Sequence, residues 1–393
     1  MYISSRNTGQ RSRGRNNVHD RKDIELTDVR RLRTAIVGTG IIAKSRYFPI
    51  MQKLLELFEV HALCDIDQDA LDRANLIFPY ARTYASLHEM ITDHTLSLEC
   101  VLLLSSGNHQ EPLSMLAKMS IPVFVEKPLA YEYESARACA DEFTRRQVPL
   151  HVGYMKRYYR TVERLTNVMT SEEITSMSLD LVHPPEDTYL LPVIGETRPA
   201  TTDLCTFLDS ETRRPNVSET LARIGVPDQD LNARRAYVLL ATSVIHDINL
   251  MQAIAGTPSE VPFAHFWNKG LCGRVILNYS DSLTATLTYS YVDTAGHEET
   301  LRLVGPTGRW TAHFPSPYLP HSPATLHTVR GAHGGLPDEQ FEQISLSDPF
   351  ELQLKDFHDA IVHDRPPTIN GYDGVADLAL IERIIHATTA PSR

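Results

Sequence analysis

Between Leu32 and Met155 the chain alternates short, β-branched apolar runs with stretches whose apolar residues recur every three or four positions. The run LRTAIVGTG ends in Gly and is followed by IIAKSRYFPIMQKLLELF, which has helical spacing, so the pair predicts a strand, a turn and a helix. The order recurs as VHALCDID and QDALDRANLIF, LECVLLLSS and HQEPLSMLAKM, and IPVFVEKP and YEYESARACADEFTRRQ, before PLHVGYM closes the series. This alternation predicts an α/β domain with a doubly wound parallel sheet over residues 31–153.

The second half of the chain is dominated by alternating polar and apolar residues. The segments MSLDLVH, GRVILNYSD, SLTATLTYSYVD, ETLRLVGPTGRWTAHF, TLHTVRG and FEQISL show this pattern, and Gly, Asp and Pro separate them, as expected for an antiparallel sheet. Helical spacing returns in NARRAYVLLATSVIHDINLMQAIAG and, near the end, in PFELQLKDFHDAIVHD and GVADLALIERIIHAT. Residues 154–393 are therefore predicted to form an α+β domain with a large open, mainly antiparallel sheet.

Two segments lack clear periodicity. Residues 1–30 are rich in Arg, Asn and Ser with few apolar positions, which predicts a disordered extension. Residues 184–230 are rich in Pro, Thr and acids, and we expect an irregular insertion over one face of the sheet.

Charge and cysteine usage narrow the classes of function. The formal net charge is -11, which disfavours a nucleic-acid partner because phosphate binding needs clustered Lys and Arg, so a small-molecule partner is expected. The five Cys are scattered without a CxxC pair, so we expect no metal site and a reducing, cytoplasmic location. No apolar run approaches the roughly 18 residues that a membrane span needs, and the N-terminus has no signal-like apolar core.

The turn VGTGIIA has the chemistry of a dinucleotide site. Gly38, Gly40 and Ala43 form a GxGxxA pattern between a predicted strand and a predicted helix, as in a Rossmann fold. The first Gly permits a tight turn, the second lets the backbone approach a pyrophosphate, and the helix N-terminus supplies amide donors. An ordinary strand-to-helix turn is the alternative. The predicted cofactor-binding positions of this turn are Gly38, Thr39, Gly40, Ile41 and Ile42.

Asp65 ends the second predicted strand 25 residues after Gly40, where an acid can accept hydrogen bonds from the ribose hydroxyls. Such an acid repels the 2'-phosphate of NADP, and neither Ile66 nor Asp67 could neutralise one. The sequence therefore favours NAD over NADP. The alternative for Asp65 is a helix cap or a loop acid.

The segment FVEKPLAYE places Lys127 at the end of a buried strand, at the edge of the sheet where nicotinamide would lie. Pro128 could adopt a cis bond and so fix the direction of the Lys. From this position Lys127 could donate a proton to a substrate hydroxyl or accept one. The alternative is a surface Lys beside a turn.

Taken together, these motifs resemble the Gfo/Idh/MocA oxidoreductases, the family of glucose-fructose oxidoreductase and inositol dehydrogenase. The resemblance extends over nearly the whole chain from Leu32. It rests on VGTGIIA, CDID, SSGNHQEP, VEKPLA, VGYMKRY, VIHDINLMQAIAG and the two closing helical segments. It implies that Lys127 contacts both nicotinamide and the substrate hydroxyl, and that Glu126 helps to hold the loop.

The resemblance also assigns roles outside the EKP segment. His246 is expected to act as the base with Lys127 as the polarising group, or with these two roles exchanged; a His packed at the domain interface is the alternative. Four residues before His246 the family's sugar and inositol dehydrogenases have Asp, whereas this chain has Thr242.

Further cofactor-binding positions implied are Asp65, Ser105, Asn108, His109, Glu126 and Lys127. The substrate-binding positions implied are Lys127, Tyr154, Arg157, Thr242 and His246, although Tyr154 and Arg157 could serve only the domain junction and His109 only a helix N-terminus.

Three functions fit these residues. The first is an NAD-dependent dehydrogenase that acts on a secondary alcohol of a sugar, an amino sugar or a cyclitol. The second is a non-catalytic NAD-binding sensor or repressor on the same fold, which the missing Asp favours. The third is an NAD-dependent glycosidase, in which transient oxidation eases bond cleavage. The resemblance further implies a homodimer or homotetramer that pairs through the C-terminal sheet.

Overall fold

The structure is a computed structural model that describes residues 30–185, 203–294, 296–331 and 335–389. The predicted disordered extension lies outside these residues, apart from Arg30.

The first half of the described chain forms a parallel six-stranded sheet. Its strand order is β3-β2-β1-β4-β5-β6, so the order reverses between β1 and β4, which is where ligands bind in doubly wound folds. The strands are β1 (Leu32–Val37), β2 (Phe58–Cys64), β3 (Arg82–Tyr84), β4 (Cys100–Leu103), β5 (Val123–Glu126) and β6 (Leu150–Gly153). The helices around them are α1 (Phe48–Lys53), α2 (Gln68–Ile77), α3 (Leu87–Thr92), α4 (Gln110–Lys118) and α5 (Tyr133–Arg145). The predicted doubly wound parallel sheet is confirmed.

Burial explains why these apolar runs become strands. Every residue of β4 and β5 is buried, because helices cover both faces of a parallel sheet. Phe124 in the middle of β5 is fully buried, and burial of a side chain of this size contributes about 2–3 kcal/mol.

The first predicted helix is wrong at its C-terminal end. The pattern extended it to Phe58, but α1 ends at Lys53, and Phe58 opens β2, where it pairs with Leu32 of β1. Sheet pairing therefore overrides the local helical spacing. A π-helical turn, Ala43–Tyr47, precedes α1 and turns Tyr47 into the core.

The second half forms a separate eight-stranded sheet of order β14-β13-β12-β11-β7-β10-β9-β8. Its pairs are antiparallel except for β7 with β10, which confirms the predicted, mainly antiparallel sheet. The strands are β7 (Ser176–His183), β8 (Glu260–Trp267), β9 (Cys272–Asn278), β10 (Thr284–Tyr291), β11 (Glu298–Gly305), β12 (Gly308–Phe314), β13 (Thr325–Arg330) and β14 (Asp338–Gln343). The sequence patterns missed β8.

Helices line and close this sheet. They are α6 (Arg160–Ser171), α7 (Leu204–Thr212), α8 (Pro215–Arg223), α9 (Leu231–Leu239), α10 (Ile245–Ala255), α11 (Pro349–Val362) and α12 (Gly371–Thr389). A π-helical turn, Leu240–Val244, joins α9 to α10. The continuous stretch Leu231–Ala255 is long and apolar enough to cross a membrane, yet 67% of its most apolar window is buried inside the protein, as in a core helix.

The expectation of an irregular segment over residues 184–230 is wrong for the part that the structure describes. Helices α7 and α8 occupy much of that part, and each buries an apolar stripe that includes Leu208, Val217 and Leu221. One Pro of this segment, Pro215, stands at the first position of α8, where a missing N–H costs nothing. Residues 186–202 lie outside the described chain.

The C-terminal helices return to the first sheet. Arg46 forms a buried ion pair with Asp348, with 2.6 Å between Nη2 and Oδ2, and the Val152 N–H donates to the Ile369 carbonyl at the edge of β6. The predicted boundary between residues 153 and 154 remains a prediction, and residues after 345 contact both sheets.

Candidate active site

The glycine turn after β1 has room for a phosphate group. Gly38 has φ +95°, and a Cβ there would lie 2.3 Å from the Ser105 nitrogen, so the turn passes close to the end of β4. A Cβ at Gly40 would meet nothing within 4 Å. The helical segment begins immediately afterwards, with the Lys44 N–H donating to the Gly40 carbonyl. An open backbone at a helix start fits the pyrophosphate of a dinucleotide.

Asp65 holds this turn from the end of β2. Its Oδ2 accepts hydrogen bonds from the Thr39 N–H at 2.6 Å and from the Thr39 hydroxyl at 2.9 Å, and its Oδ1 accepts one from the Asp67 N–H at 3.0 Å. The carboxylate therefore stabilises the loops around it, as in the alternative of a loop acid given above. The predicted ribose contact remains a prediction. Thr39 is buried, whereas Ile41 is about half exposed beside the open face of Gly40.

His109 links the loop after β4 to the turn formed by Glu126, Lys127 and Pro128, which we call the EKP turn. The His109 ring hydrogen-bonds through Nε2 to the Ser105 carbonyl and through Nδ1 to the Pro128 carbonyl, each at 2.7 Å. Its side chain makes no cap to α4, although His109 precedes that helix, and it links the Ser105 and Pro128 carbonyls instead. Asn108 accepts a hydrogen bond from the Gln110 N–H at 3.3 Å and so fixes the helix start.

The buried Glu126 side chain holds the EKP turn through a hydrogen bond to its main chain. Its buried carboxylate accepts hydrogen bonds from the Tyr47 hydroxyl and from the Lys127 N–H, the latter at 3.1 Å. Gln353 of α11 in turn donates to the Tyr47 hydroxyl at 3.0 Å. Burial raises the pKa of Glu126. The Lys127–Pro128 peptide bond is cis, as the sequence suggested.

Lys127 reaches across to the second half of the chain. Its ammonium donates a hydrogen bond of 2.8 Å to the main-chain carbonyl of Thr242, inside the π-helical turn that precedes α10. The Thr242 hydroxyl donates to the Val238 carbonyl at 2.7 Å, so that side chain is turned back on its own helix. Turns of this kind are frequent at functional sites.

His246 lies one turn after Thr242 and is partly exposed. Burial of the ring, followed by the charges of Lys127 and Lys156, holds the pKa of His246 well below its usual value. The ring packs edge-on against Tyr154 with 6.0 Å between centroids. Its Nδ1 is enclosed and has no hydrogen-bond partner among the residues that the structure describes. The imidazole is therefore neutral at physiological pH, and proton exchange would run through Nε2.

Two predicted substrate-binding residues have partners at the junction between the two sheets. Tyr154 is only 1% exposed, because it lies under His246 and near Asp377, whose carboxylate adds to the effect of burial in raising the tyrosine pKa. Arg157 forms an ion pair with Asp373 at the start of α12, with 2.7 Å between Nη1 and Oδ1. Both have contacts at the junction between the two sheets, the alternative that the sequence left open, and their contact with substrate remains a prediction.

The sequence patterns did not predict a set of buried ion pairs that includes the first turn of α10. Lys156 forms buried ion pairs with Asp247 and Glu299, and these carboxylates come from α10 and β11. Asp247 follows His246 on α10 and pairs with Lys156 in the turn that follows β6. Glu299 could have been noticed as an acid at an inward-facing strand position, opposite the buried Leu181.

Helices α8 and α9 contact the segment that follows Pro128. The Tyr237 hydroxyl donates to the Tyr131 carbonyl at 2.6 Å, and the Asn216 amide donates to Glu132 at 3.2 Å. Arg214, at the start of α8, brings its Nη1 to 3.9 Å from where a Cβ of Gly107 would lie. The segment after the EKP turn is thereby packed against α8 and α9.

An open glycine turn and a Lys-bearing strand end, on one edge of a doubly wound sheet, define a dinucleotide-binding oxidoreductase domain. Residues 32–154 match the model of the Gfo/Idh/MocA oxidoreductase family, described as an oxidoreductase family with an NAD-binding Rossmann fold. The likeness to this family is thereby shown for the NAD-binding domain, residues 32–154.

Relatives support this placement. The chain is 27% identical over 139 residues to the myo-inositol 2-dehydrogenase of Thermotoga maritima, a match that spans 34% of this chain and 41% of that enzyme. The matched regions span only 34% and 41% of the lengths of two curated relatives.

Solved structures share the whole fold. An oxidoreductase from Desulfitobacterium hafniense, provisionally assigned as NADPH-dependent, superposes with a TM-score of 0.72 at 13% identity and covers 93% of this chain and 96% of its own. An oxidoreductase from Agrobacterium radiobacter, solved with NAD+, L-tartaric acid and magnesium, has a TM-score of 0.65 at 15% identity and covers 89% of this chain and 94% of its own. At these identities the likeness shows the fold alone.

Proposed function

We propose that the protein is an NAD-dependent dehydrogenase that oxidises a secondary alcohol of a sugar, an amino sugar or a cyclitol. The observation that carries this proposal is the contact between Lys127 and the turn that leads into His246. The Lys127 ammonium contacts the turn that leads into α10, and its charge contributes, after burial, to the low pKa of His246. These are the two groups that alcohol oxidation requires, a donor to the substrate oxygen and a base.

Different residues of the site would bind the cofactor, act on the substrate and support the EKP turn. The turn from Gly38 to Ile42 would hold the pyrophosphate, and nicotinamide, when bound, supplies the hydride acceptor. Lys127 would donate a hydrogen bond to the substrate oxygen, in place of the one it makes to the Thr242 carbonyl. His246 would accept the carbinol proton at Nε2, since a neutral ring has a free lone pair there. His109 and Glu126 would keep the EKP turn in position.

The preference for NAD rests on Asp65. Its carboxylate sits beside the turn, and Ile66 and Asp67 provide no cation for a 2'-phosphate. Relatives of this fold are described with either cofactor, so the choice is tested by comparing the two.

We also propose how the protein assembles and where it is located. We expect a homodimer or homotetramer through the second sheet, because Phe263, Trp267 and Phe341 are exposed on its edge strands β8 and β14. The five Cys are unpaired and buried, in keeping with a cytoplasmic location.

The test is a steady-state assay of NAD+ reduction with a panel of sugars, amino sugars and cyclitols. Lys127→Met and His246→Asn should each lower kcat by about a hundredfold or more, because each removes a group that moves or stabilises a proton. Calorimetric NAD+ binding should remain within about threefold of the wild type. Reduction that persists in Lys127→Met would contradict the proposal.

One observation favours a second candidate, an NAD-binding sensor. Position 242, in the turn before α10, is Thr and therefore has no carboxylate one turn before His246, and its hydroxyl donates to the Val238 carbonyl. NAD+ binding without turnover on the whole panel would support the sensor. Release of a leaving group without net NAD+ reduction would instead indicate a glycosidase.

A further inference from the structure

Tyr47 lies in the core between the strand that carries the EKP turn and helix α11. It is the last residue of the π-helical turn Ala43–Tyr47, and its side chain is fully buried. The ring packs edge-on against Phe124 of β5 and against Phe350 of α11, with 5.7 Å between centroids in each pair. The hydroxyl is therefore enclosed by the protein, and a buried hydroxyl needs hydrogen-bond partners.

The Tyr47 hydroxyl has two partners, and their chemistry fixes the direction of each hydrogen bond. The Gln353 amide donates to the Tyr47 oxygen at 3.0 Å, so the hydroxyl proton is left to face the Glu126 carboxylate, to which it donates. Burial, followed by the charge of Glu126, raises the pKa of Tyr47 well above its usual value, so the proton stays on the hydroxyl. Tyr47 is therefore a hydrogen-bond donor to Glu126.

Glu126 connects Tyr47 to Lys127. Its Oε1 accepts the Tyr47 hydroxyl, and its Oε2 accepts the Lys127 N–H at 3.1 Å. Both oxygens belong to one planar carboxylate, so a shift at the first changes the hydrogen bond at the second. The Lys127 ammonium in turn reaches the Thr242 carbonyl at 2.8 Å. A series of direct hydrogen bonds thus runs from α11 through Tyr47 and Glu126 to the main chain of Lys127.

Helix α11 has other attachments to the first sheet and its helices. Arg46 forms a buried ion pair with Asp348 at the start of α11, with 2.6 Å between Nη2 and Oδ2, and Lys53 pairs with Glu351. Burial disfavours the charged form of Glu126, whereas the charge of Lys127 and the Tyr47 hydrogen bond favour it. Loss of the Tyr47 hydroxyl would therefore release the Glu126 carboxylate while α11 stays in place.

We propose that Tyr47 is a positioning residue for Lys127: its hydroxyl holds the Glu126 carboxylate against the Lys127 main chain and so sets the place of the ammonium in the cleft. Gln353 keeps that hydroxyl directed at Glu126. The catalytic consequence rests on the proposed function, in which Lys127 acts on the substrate oxygen. The positioning itself is a property of the protein without cofactor or substrate.

The first test follows the Lys127 amide by NMR in full-length protein labelled with 15N-lysine, without cofactor or substrate. The chain has only eight Lys, so the amide signals are few, and Lys127→Arg assigns the one of interest. In Tyr47→Phe this amide should exchange with solvent about tenfold faster or more, because its acceptor is released. The amide of Lys118 in α4 should stay within about threefold of the wild type, since α4 has no part in the series.

Tyr84→Phe is the matched control. The Tyr84 hydroxyl also donates to a carboxylate, that of Asp93, at 2.7 Å, but it lies on β3 at the opposite end of the sheet order from β5 and β6. It should leave the Lys127 amide unchanged. Gln353→Leu removes only a neutral donor and should speed the exchange in the same direction, and it decides the question if Tyr47→Phe fails to fold. An unmoved Lys127 amide in either folded variant overturns the proposal, even where thermal stability falls, because Tyr47 would then be only a structural residue.

The second test uses the active enzyme. Tyr47→Phe should lower kcat by about tenfold, with the affinity for NAD+ within about threefold of the wild type. In the Lys127→Met background the same substitution should have no further effect, because Tyr47 acts only through Lys127. An equal loss in both backgrounds would overturn the proposal, since a general structural defect does not depend on Lys127. Faster exchange of the Lys127 amide without NAD+ reduction on any polyol would support the positioning and refute the dehydrogenase.

Discussion

The Lys127 ammonium donates a hydrogen bond of 2.8 Å to the main-chain carbonyl of Thr242, and this contact joins the edge of the first sheet to the helix that carries His246. The residue's side chain does not take part, because the Thr242 hydroxyl bonds the Val238 carbonyl. A substitution at position 242 can therefore add a charged side chain to the cleft while the main-chain contact remains.

Thr242→Asp should raise the pKa of His246 and, in an active enzyme, move the acid limb of the kcat/KM profile upward by about 0.5–1 pH unit. A carboxylate on the face of the helix one turn before the ring stabilises the imidazolium. Thr242→Asn is the control, because it has the same shape without the charge. Equal profiles for the two variants would contradict this reading.

The two glycines of the turn should respond differently to the same substitution. Gly38→Ala places a methyl group on the Ser105 backbone at a positive φ, and we expect a loss of more than about 2 kcal/mol in the free energy of unfolding. Gly40→Ala points its methyl group into open space, so stability should change by less than about 0.5 kcal/mol. The affinity for NAD+ should nevertheless fall by about tenfold or more, since the methyl group occupies the predicted phosphate position. Thermal denaturation and calorimetry separate the two effects.

The buried pair of Arg46 and Asp348 should be costly to break. Arg46→Met leaves the Asp348 carboxylate buried and unpaired, and we expect a loss of about 3–5 kcal/mol in urea denaturation. Asp348→Asn in the same chain should restore part of this loss, and the Asn can still accept the Phe350 N–H at the start of α11. Arg160→Met removes an exposed pair with Glu163 and should cost less than about 0.5 kcal/mol.

His151 predicts a loss of stability in acid. Burial lowers the pKa of His151 to about 4, whereas an unfolded His titrates near 6.5. Between these values the unfolded state binds a proton that the folded state does not, so the free energy of unfolding should fall as the pH drops from about 6.5 to about 4, by up to about 3 kcal/mol from this residue. His151→Gln should flatten that slope without abolishing it, because other buried His contribute. Denaturation midpoints measured across this pH range check the prediction.

Local chemistry was sufficient for the parts of the site that lie within one segment. The GxGxxA turn, Asp65 at the end of β2 and Lys127 before a cis Pro could all be predicted, because strand, turn and helix follow one another in the chain and the period of apolar residues reveals each of them. The segment after Pro184 shows the limit of that approach. Its Pro and Thr content suggested irregular structure, but α7 and α8 form there because Leu208, Val217 and Leu221 find apolar partners elsewhere in the molecule.

The sequence by itself determined both sheet types and the glycine turn, and it predicted Lys127 and His246 as the reactive groups. Only the tertiary structure decided that Lys127 meets the backbone of residue 242, that Tyr154 and Arg157 face the junction, and that Lys156 pairs with Asp247 and Glu299. Periodicity reports which face of an element is apolar, whereas an ion pair depends on which elements pack together. Lys156 and Glu299 are 143 positions apart in the chain, and no local pattern relates them.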